Sequence, residues 1–186
     1  MLCLNLVCIL SIPLSPYLER ELRSDHAGET GAVSIYRGIE AVAKWRGDLD
    51  LLAFARMHGK TEAEHLALVE SCLPVAMRSA LLGPWRWAGW LTGALPAVFG
   101  AQAVYATIAA VETFVDQHYQ QQIDHLLQHG GPDGLLELLL KCQADEQHHR
   151  DEAAALAGPS RHWLLRAWCG TVGWGSEAAV VLARRF

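Results

Sequence analysis

Two short patterns in the 186-residue sequence combine carboxylates and imidazoles at the spacing that a helical metal site requires. Each pattern places a glutamate three positions before a histidine, in TEAEHL (61–66) and in DEQHHRDE (145–152). Side chains at this spacing lie on one face of an α-helix, so both members of a pair can reach the same ion. A single Glu-x-x-His is common on exposed helices, but the presence of two copies favours a metal site.

A lone glutamate precedes each pair by a nearly constant distance. Glu29 stands before Glu62 at almost the same separation as Glu112 before Glu146, so the second set repeats the first at a nearly constant offset along the chain. Both lone glutamates stand in apolar surroundings, where a carboxylate is costly unless it is paired or binds a metal. One Glu followed by Glu-x-x-His, repeated, is the ligand set of ferritin-like di-metal carboxylate bundles. The predicted ligands are Glu29, Glu62, His65, Glu112, Glu146 and His149.

The second pair has an alternative register, because Asp145 and His148 show the same acid-x-x-His spacing. Glu146 with His149 keeps the constant offset between the two sets and the commoner ligand type, so we prefer it and expect His148 at the surface. Four carboxylates balance the charge of two divalent ions, and two neutral imidazoles add nitrogen ligands that suit iron. We therefore predict two metal ions about 3.5–4 Å apart, iron in preference to manganese.

Polar residues one or two helical turns from the ligands are candidates to hydrogen-bond them. Tyr36 and Tyr119 each follow a lone glutamate by two helical turns on the same helix face, and His118 comes just before Tyr119. We predict that these three hydrogen-bond the ligands or carry electrons. Asp25 and Asp116 are candidate partners for the outer N–H of a metal-bound imidazole, which normally donates to a carboxylate or carbonyl.

Helices must position these residues, since helical periodicity dominates and no stretch alternates as a strand would. Five helices that end at Gly or Pro are predicted, at about 18–45, 49–73, 101–129, 133–157 and 160–185. A connection with three prolines, over 73–100, carries the chain from the second helix to the third. The predicted fold is all-α, a ferritin-like four-helix bundle over residues 18–186 with a long crossover segment and an additional C-terminal helix.

Composition excludes two classes of protein. Acidic residues outnumber basic residues by 20 to 15, whereas a nucleic-acid-binding protein would normally carry a basic stripe. The five cysteines are odd in number and include no Cys-x-x-Cys pair, which favours reduced thiols over a disulfide framework. Apolar residues make up 52% of the chain, which predicts a bundle core together with a membrane-facing surface.

Tryptophans suggest where that surface lies. They recur in the crossover, at 85, 87 and 90, and in the last helix, at 163, 168 and 174, with arginines nearby, as in belts at the level of lipid headgroups. Residues 87–111 carry no charge, but Pro96 and several glycines interrupt them and they lead into Glu112, so we expect an interfacial or buried segment. Residues 1–17 form an uncharged apolar leader, which we expect to dock rather than to be cleaved as a signal peptide.

The motifs DHAGETGA (25–32), TEAEHL (61–66), VET with HY (111–113 and 118–119) and DEQHHRDE (145–152) resemble the demethoxyubiquinone hydroxylase family, over about residues 18–186. The resemblance implies a di-iron monooxygenase of ubiquinone biosynthesis with the same six ligands and two iron ions. It also implies that O2 and a polyprenyl quinol are the substrates. The resemblance further implies a peripheral membrane protein, which in a bacterium would lie on the cytoplasmic face of the inner membrane. The leader and Asp116 depart from the family's pattern.

The sequence leaves open both the source of electrons and the oligomeric state. A homo-oligomer is one possible state. NADH, a reductase or the quinol itself could supply electrons, and because no GxGxxG occurs, a nicotinamide would bind transiently or act through a partner. Two alternatives are a ferritin-like or rubrerythrin-like protein that handles peroxide or iron, and a non-catalytic membrane-associated bundle. The tryptophan-rich connection disfavours the first, and the presence of all six ligands disfavours the second.

Overall fold

The computed structural model describes residues 14–159 and 162–186, and helices make up most of this part of the chain. Six α-helices lie in it: α1 (Pro16–Arg46), α2 (Leu49–Cys72), α3 (Leu82–Phe99), α4 (Ala101–His129), α5 (Leu135–Ala157) and α6 (Trp163–Ala183). The described residues include no strand, which confirms the predicted all-α class. Of the predicted leader, residues 1–13 lie outside the described residues, and α1 begins within the remainder.

Local chemistry sets the ends of the first two helices. The Ser15 side chain accepts a backbone hydrogen bond from the first turn of α1, and Pro16 occupies the first helical position, where no backbone N–H is needed. Gly47 ends α1 with a φ of 70°, a left-handed conformation that glycine adopts at little cost. Asp48 then caps α2 through its side chain, so α1 and α2 form a tight hairpin.

Two similar halves build the bundle. The α1–α2 hairpin faces the α4–α5 hairpin, and α3 packs against α1 as α6 packs against α4. The sequence repeat extends to these outer helices, because Gly89-Trp90 in α3 and Gly173-Trp174 in α6 have the same separation as Glu62 and Glu146. The four-helix bundle with a crossover and a further C-terminal helix is therefore confirmed.

The crossover differs from its prediction, because most of residues 73–100 belong to the full helix α3 (Leu82–Phe99) rather than to an open connection. Pro84 lies in the first turn, where its missing N–H removes no helical hydrogen bond. Two glycines let α3 approach α1 closely. A Cβ atom on Gly93 would lie 2.0 Å from the carbonyl oxygen of Ile35, and one on Gly89 would lie 2.3 Å from that of Gly31. These glycines serve helix packing and not chain flexibility.

We expect Gly93→Ala to lower the free energy of unfolding by about 1–3 kcal/mol, because the new methyl group meets backbone that must move. Urea denaturation of the full chain measures the change. Gly83→Ala, on the same helix, is the matched control, since its Cβ atom meets nothing within 4 Å and should leave stability within about 0.5 kcal/mol. Equal effects of the two substitutions would contradict this packing account.

The bundle interior is divided into layers. One apolar cluster lies around Leu22 and Leu138, and a second lies around Ile39 and Ile108. The six glutamates and histidines of the repeat are buried as well, at 4% exposure or less. A polar layer is thus enclosed within an apolar bundle. Among the described residues, no helix combines the length and the apolar character that crossing a membrane requires.

Candidate metal centre

The structure brings all six predicted ligands together in the polar layer. Ligand atoms of Glu29, Glu62, His65 and Glu146 lie within 4.8 Å of one another. A second group with the same spacing comprises Glu62, Glu112, Glu146 and His149. Because Glu62 and Glu146 belong to both groups, the two groups adjoin each other and share two carboxylates.

Each histidine contacts the glutamate of the opposite pair. The Nδ1 atom of His65 lies 3.0 Å from Oε1 of Glu146, and the Nδ1 atom of His149 lies 3.0 Å from Oε1 of Glu62. Oε2 of Glu29 completes the first group at 4.0 Å from Nδ1 of His65. The two halves of the chain therefore contribute to the centre in a reciprocal way, as the repeat in the sequence predicts.

The donor set fits a pair of divalent cations. Four of its atoms are buried and make no well-aligned hydrogen bond: Oε2 of Glu29, Oε2 of Glu146, and Oε1 of Glu62 with Nδ1 of His149, which lie 3.0 Å apart. Buried polar atoms are normally satisfied, and atoms left unpaired in a converging group are what bound ions would satisfy. Carboxylate and imidazole ligands together suit iron or manganese.

Burial gives the glutamates unusual acidity. It raises the pKa of Glu62 and of Glu112 well above the usual range, and raises the pKa of Glu29 to about 7. Burial acts on Glu146 in the same direction, but contacts with His149 and His65 outweigh it and lower its pKa to about 2. Burial would lower the pKa of His65, yet Glu146 and Glu29 raise it to about 9. Without a cation, the centre holds protons at neutral pH.

We expect metal binding to compete with these protons. Ligating carboxylates must be deprotonated, and the pKa of Glu29, Glu62 and Glu112 is raised, so binding releases protons and strengthens as pH rises. The apparent affinity for Mn²⁺ should fall about tenfold or more per pH unit between about pH 8 and about pH 6. Calorimetry in buffers of different ionisation enthalpy counts the released protons, and a count near zero at neutral pH would contradict the expectation.

Tyrosines surround the centre as the sequence predicts. The Tyr119 hydroxyl donates a hydrogen bond to Oε1 of Glu29, 2.5 Å away. The Tyr36 hydroxyl is buried beside Glu112, and burial together with the charge of that carboxylate raises the pKa of Tyr36 well above its usual value. His118 instead contacts Asp25, with Nε2 2.9 Å from Oδ1 of that carboxylate.

The predicted carboxylate partners of the imidazoles are wrong. Asp25 pairs with His118, and Asp116 accepts hydrogen bonds from α5, from the side chains of Gln143, Gln147 and Arg150.

The residue that does contact an imidazole is Asp145, whose Oδ2 lies 3.0 Å from Nε2 of His65 and also accepts a hydrogen bond from Lys141. The sequence had marked Asp145 only as an alternative ligand with His148. The side chain of His148 is 73% exposed, in agreement with its predicted surface position. Asp145 thus orients a predicted ligand from outside the centre.

A buried histidine that sequence reasoning missed also contacts the centre. The His58 ring packs edge-on against that of His149, with centroids 4.3 Å apart, and its Nε2 lies 3.1 Å from Oε2 of Glu152. Burial lowers the pKa of His58 to about 4, so this imidazole is neutral. The available signal was its position one turn before Glu62 on α2.

A cavity of about 350 Å³ opens onto the centre from one side. Residues of α1, α3, α4 and α6 form its mostly apolar wall, and four ligand carboxylates reach it: Glu29, Glu62, Glu112 and Glu146. The two ligand histidines lie away from this wall. A molecule in the cavity would therefore meet the carboxylate face of the metal centre.

Comparison with known proteins agrees with this arrangement. The sequence model described as "Ubiquinone biosynthesis protein COQ7" matches residues 16–183. The 3-demethoxyubiquinol 3-hydroxylase of Rhodospirillum rubrum is 38% identical over 175 residues, which cover 90% of this chain and 78% of that protein. The mitochondrial NADPH-dependent 3-demethoxyubiquinone 3-hydroxylase of Rattus norvegicus is 30% identical over 177 residues, 91% of this chain and 78% of that protein.

A second animal relative matches the chain over a similar length. The protein of that name in Caenorhabditis elegans is 30% identical over 166 residues, which cover 82% of this chain and 85% of the relative. The match to the family spans both Glu and Glu-x-x-His sets and the helices that line the cavity. The chain belongs to the COQ7 family of ubiquinone biosynthesis proteins.

Proposed function

We propose that this protein is a di-iron carboxylate monooxygenase that uses O2 to hydroxylate the ring of a demethoxyubiquinol-type polyprenyl quinol in ubiquinone biosynthesis. The observation that carries the proposal is a buried centre of four carboxylates and two imidazoles whose carboxylate face opens into an apolar cavity. The names of the relatives supply the substrate class and the reaction. A protein that stores iron would have no use for such a cavity.

The chain's own residues prepare the site for this reaction. Two bound iron ions would supply the chemistry that activates O2. The Tyr119 hydroxyl fixes the orientation of Glu29, and Asp145 fixes that of His65 by accepting from its outer nitrogen. The apolar wall excludes water from the reacting ring and holds it at the carboxylate face.

The cavity suits a quinol ring in size and chemistry. Its volume falls in the range of about 300–1,000 Å³ that is usual for small-molecule sites. Small residues of α1 create this space, since Ala27, Gly28, Gly31 and Ala32 all line the wall and project little or no side chain into it. A flat ring can therefore lie close to the backbone of α1, next to Glu29.

The outer faces of α3 and α6 support binding to a membrane surface. Trp87 and Phe99 on α3, and Trp163 and Trp174 on α6, are each at least 70% exposed. Large aromatic side chains at such exposure suit the interface between headgroups and acyl chains. Because both helices also line the cavity, a quinol could pass from the lipid into the site. In a bacterium, the cytoplasmic face of the inner membrane is the proposed location.

The proposed source of electrons is a nicotinamide nucleotide, used directly or through a reductase. Relatives in rat and Caenorhabditis elegans are named as NADPH-dependent, which supports this class of donor. The quinol itself is the alternative reductant, and anaerobic reduction of the iron by each donor alone distinguishes them.

The experiment that tests the proposed function is complementation of a bacterial strain that accumulates demethoxyubiquinone. We expect expression of this chain to restore ubiquinone, measured by mass spectrometry of extracted lipids, and the purified protein to contain iron. No restored ubiquinone from an iron-loaded, membrane-associated protein would overturn the substrate assignment while leaving the metal centre in place.

A further inference from the structure

Most polar side chains of the cavity wall already donate their hydrogen atoms in hydrogen bonds within the protein. The hydroxyl groups of four wall residues donate to backbone carbonyls of their own helices: Ser24, Thr92, Thr171 and Ser176. The Tyr119 hydroxyl donates to Glu29. A ligand in the cavity therefore finds few free polar partners outside the metal centre, namely Trp85, His118 and Oδ2 of Asp25, and the first two come from opposite walls.

Trp85 offers a free donor. Its indole Nε1 is buried and has no hydrogen-bond partner among the described residues, and the side chain lines the cavity from α3. A buried N–H group without a partner is unfavourable, and an indole can act only as a donor. An oxygen atom of a bound ligand would satisfy this group.

His118 offers a free acceptor from the opposite wall, on α4. Its Nε2 lies 2.9 Å from Oδ1 of Asp25, which Gln122 also contacts, so Nε2 carries the proton that it donates to this carboxylate. The nearby Glu21 carboxylate is paired with Arg184. In the neutral ring Nδ1 is then an acceptor, and it has no hydrogen-bond partner among the described residues.

The two groups flank the same turn of α1. Gly89 packs on Gly31 and Gly93 packs on Ile35, so the same register places Trp85 level with residue 27. On the other side, His118 contacts residues 24 and 25. This turn lies one turn before Glu29, about 6 Å along the helix axis, so a ring held there reaches the metal centre.

We propose that Trp85 and His118 form a ring-recognition pair for a methoxy-substituted hydroquinone. The indole N–H of Trp85 donates to the methoxy oxygen, and Nδ1 of His118 accepts from a ring hydroxyl, with Asp25 holding the imidazole in place. A hydroquinone of this kind carries both groups, whereas a lipid tail carries neither. The inference rests on the proposed function, because it assigns the residues that orient that substrate at the same centre.

The orientation has a chemical consequence. Hydrogen bonding of the ring hydroxyl to His118 increases electron density at the neighbouring ring carbons, which are the positions that electrophilic oxygen attacks. The contact to the methoxy oxygen then turns the one unsubstituted ring carbon, which neighbours a hydroxyl, toward the metal centre. The pair would determine the orientation of the ring as well as its affinity.

Binding is measured without turnover, by anaerobic calorimetry on the full-length protein with its metal content determined in each preparation. The ligands are a decyl-tailed methoxy-methylhydroquinone, its analogue with hydrogen in place of both hydroxyls, and its analogue without the methoxy group. We expect His118→Phe to weaken binding of the hydroquinone about five- to tenfold, which lowers its affinity to that of the hydroxyl-free analogue. The affinity of the hydroxyl-free analogue should be the same in the variant and the wild type. We expect Trp85→Phe to weaken only the ligands that carry the methoxy group, by a similar factor.

Matched controls lie outside the cavity wall. Trp45→Phe changes an exposed tryptophan of α1, and His125→Phe changes a histidine of α4, so both should bind all three ligands as the wild type does. His118→Phe leaves the buried Asp25 without this partner, which could cost the single variant helical content. In that case the double substitution Asp25→Asn/His118→Phe is used for the same binding measurement.

The outcomes separate the two levels of inference. Retention of the hydroquinone preference in the His118 variants, or equal loss for all ligands in Trp85→Phe, would overturn the recognition pair alone. A wild-type protein that binds none of the three ligands would overturn the proposed substrate class together with the pair.

Discussion

Glu62→Ala should remove both metal ions from the protein, whereas Glu112→Ala should leave about one. Glu62 belongs to both groups of ligand atoms, while Glu112 belongs only to the group that includes His149. Loss of a residue that merely orients a ligand weakens metal binding or activity by about 10–100-fold, so loss of a shared ligand should lower hydroxylation by more than about 10³-fold. Elemental analysis by mass spectrometry gives the ions per chain.

The matched control for this prediction is Glu64→Ala, close to Glu62 on α2. Its side chain is 57% exposed and pairs with Lys60, so iron content and activity should equal those of the wild type. Glu62→Ala should keep its helical content, because removal of a buried carboxylate also removes the cost of burying it. Two ions per chain in Glu62→Ala would exclude the shared-carboxylate arrangement.

That the six predicted ligands lie together could be predicted from the sequence, because the signal is local and repeated. Glu-x-x-His fixes two side chains on one helix face whatever the helix packs against, and the second half of the chain repeats that pattern at a constant offset. The geometry adds that Glu62 and Glu146 belong to both groups, which spacing alone could not indicate. The long periodic helices were predictable for the same reason.

The crossover shows where local signals mislead. Pro84, Gly89, Gly93 and Pro96 are residues typical of connections, and they predicted one. In the structure, Pro84 falls in a first turn, and the glycines are needed because α3 lies in backbone contact with α1. Helix formation in this segment depends on a tertiary contact, and a single sequence carries no record of that contact.

The partners of the ligands also depend on tertiary geometry. Asp25 and Asp116 have the right spacing from the lone glutamates, but neither meets a ligand imidazole. Asp25 contacts His118, Asp116 accepts from other side chains of α5, and Asp145 is the residue beside His65. Which side chains meet across a bundle depends on how neighbouring helices are rotated about their axes. That rotation is set by packing of the whole core and cannot be derived from spacing along one helix.

The cavity is a further property that the sequence hides, because it arises from missing side chains. Gly28 lies within α1, where glycine is about 1 kcal/mol less favourable than alanine. A Cβ atom at Gly28 would meet nothing within 4 Å, so no packing contact requires glycine there. The residue lines the cavity directly before Glu29, which gives the absence of a side chain a function: it leaves room for the substrate ring.

Gly28→Leu should therefore abolish hydroxylation without affecting the metal centre. The leucine side chain projects into the space that the ring occupies, and displacement of a reacting ring by about 1 Å already lowers rates by about 100-fold. Iron content should equal that of the wild type, because the ligand atoms do not contact this position. The free energy of unfolding should stay equal or rise by up to about 1 kcal/mol, since leucine favours helix more than glycine does.

Three measurements on Gly28→Leu distinguish a blocked cavity from a damaged centre: iron per chain, the urea unfolding midpoint, and the rate of quinol hydroxylation. Gly170→Leu makes the same change at an exposed position of α6 outside the cavity wall, where a Cβ atom also meets nothing within 4 Å, and should leave all three unchanged. Normal hydroxylation by Gly28→Leu would show that the ring binds elsewhere. Loss of iron would show that this turn supports the ligands, because a side chain that only fills the cavity leaves Glu29 in place.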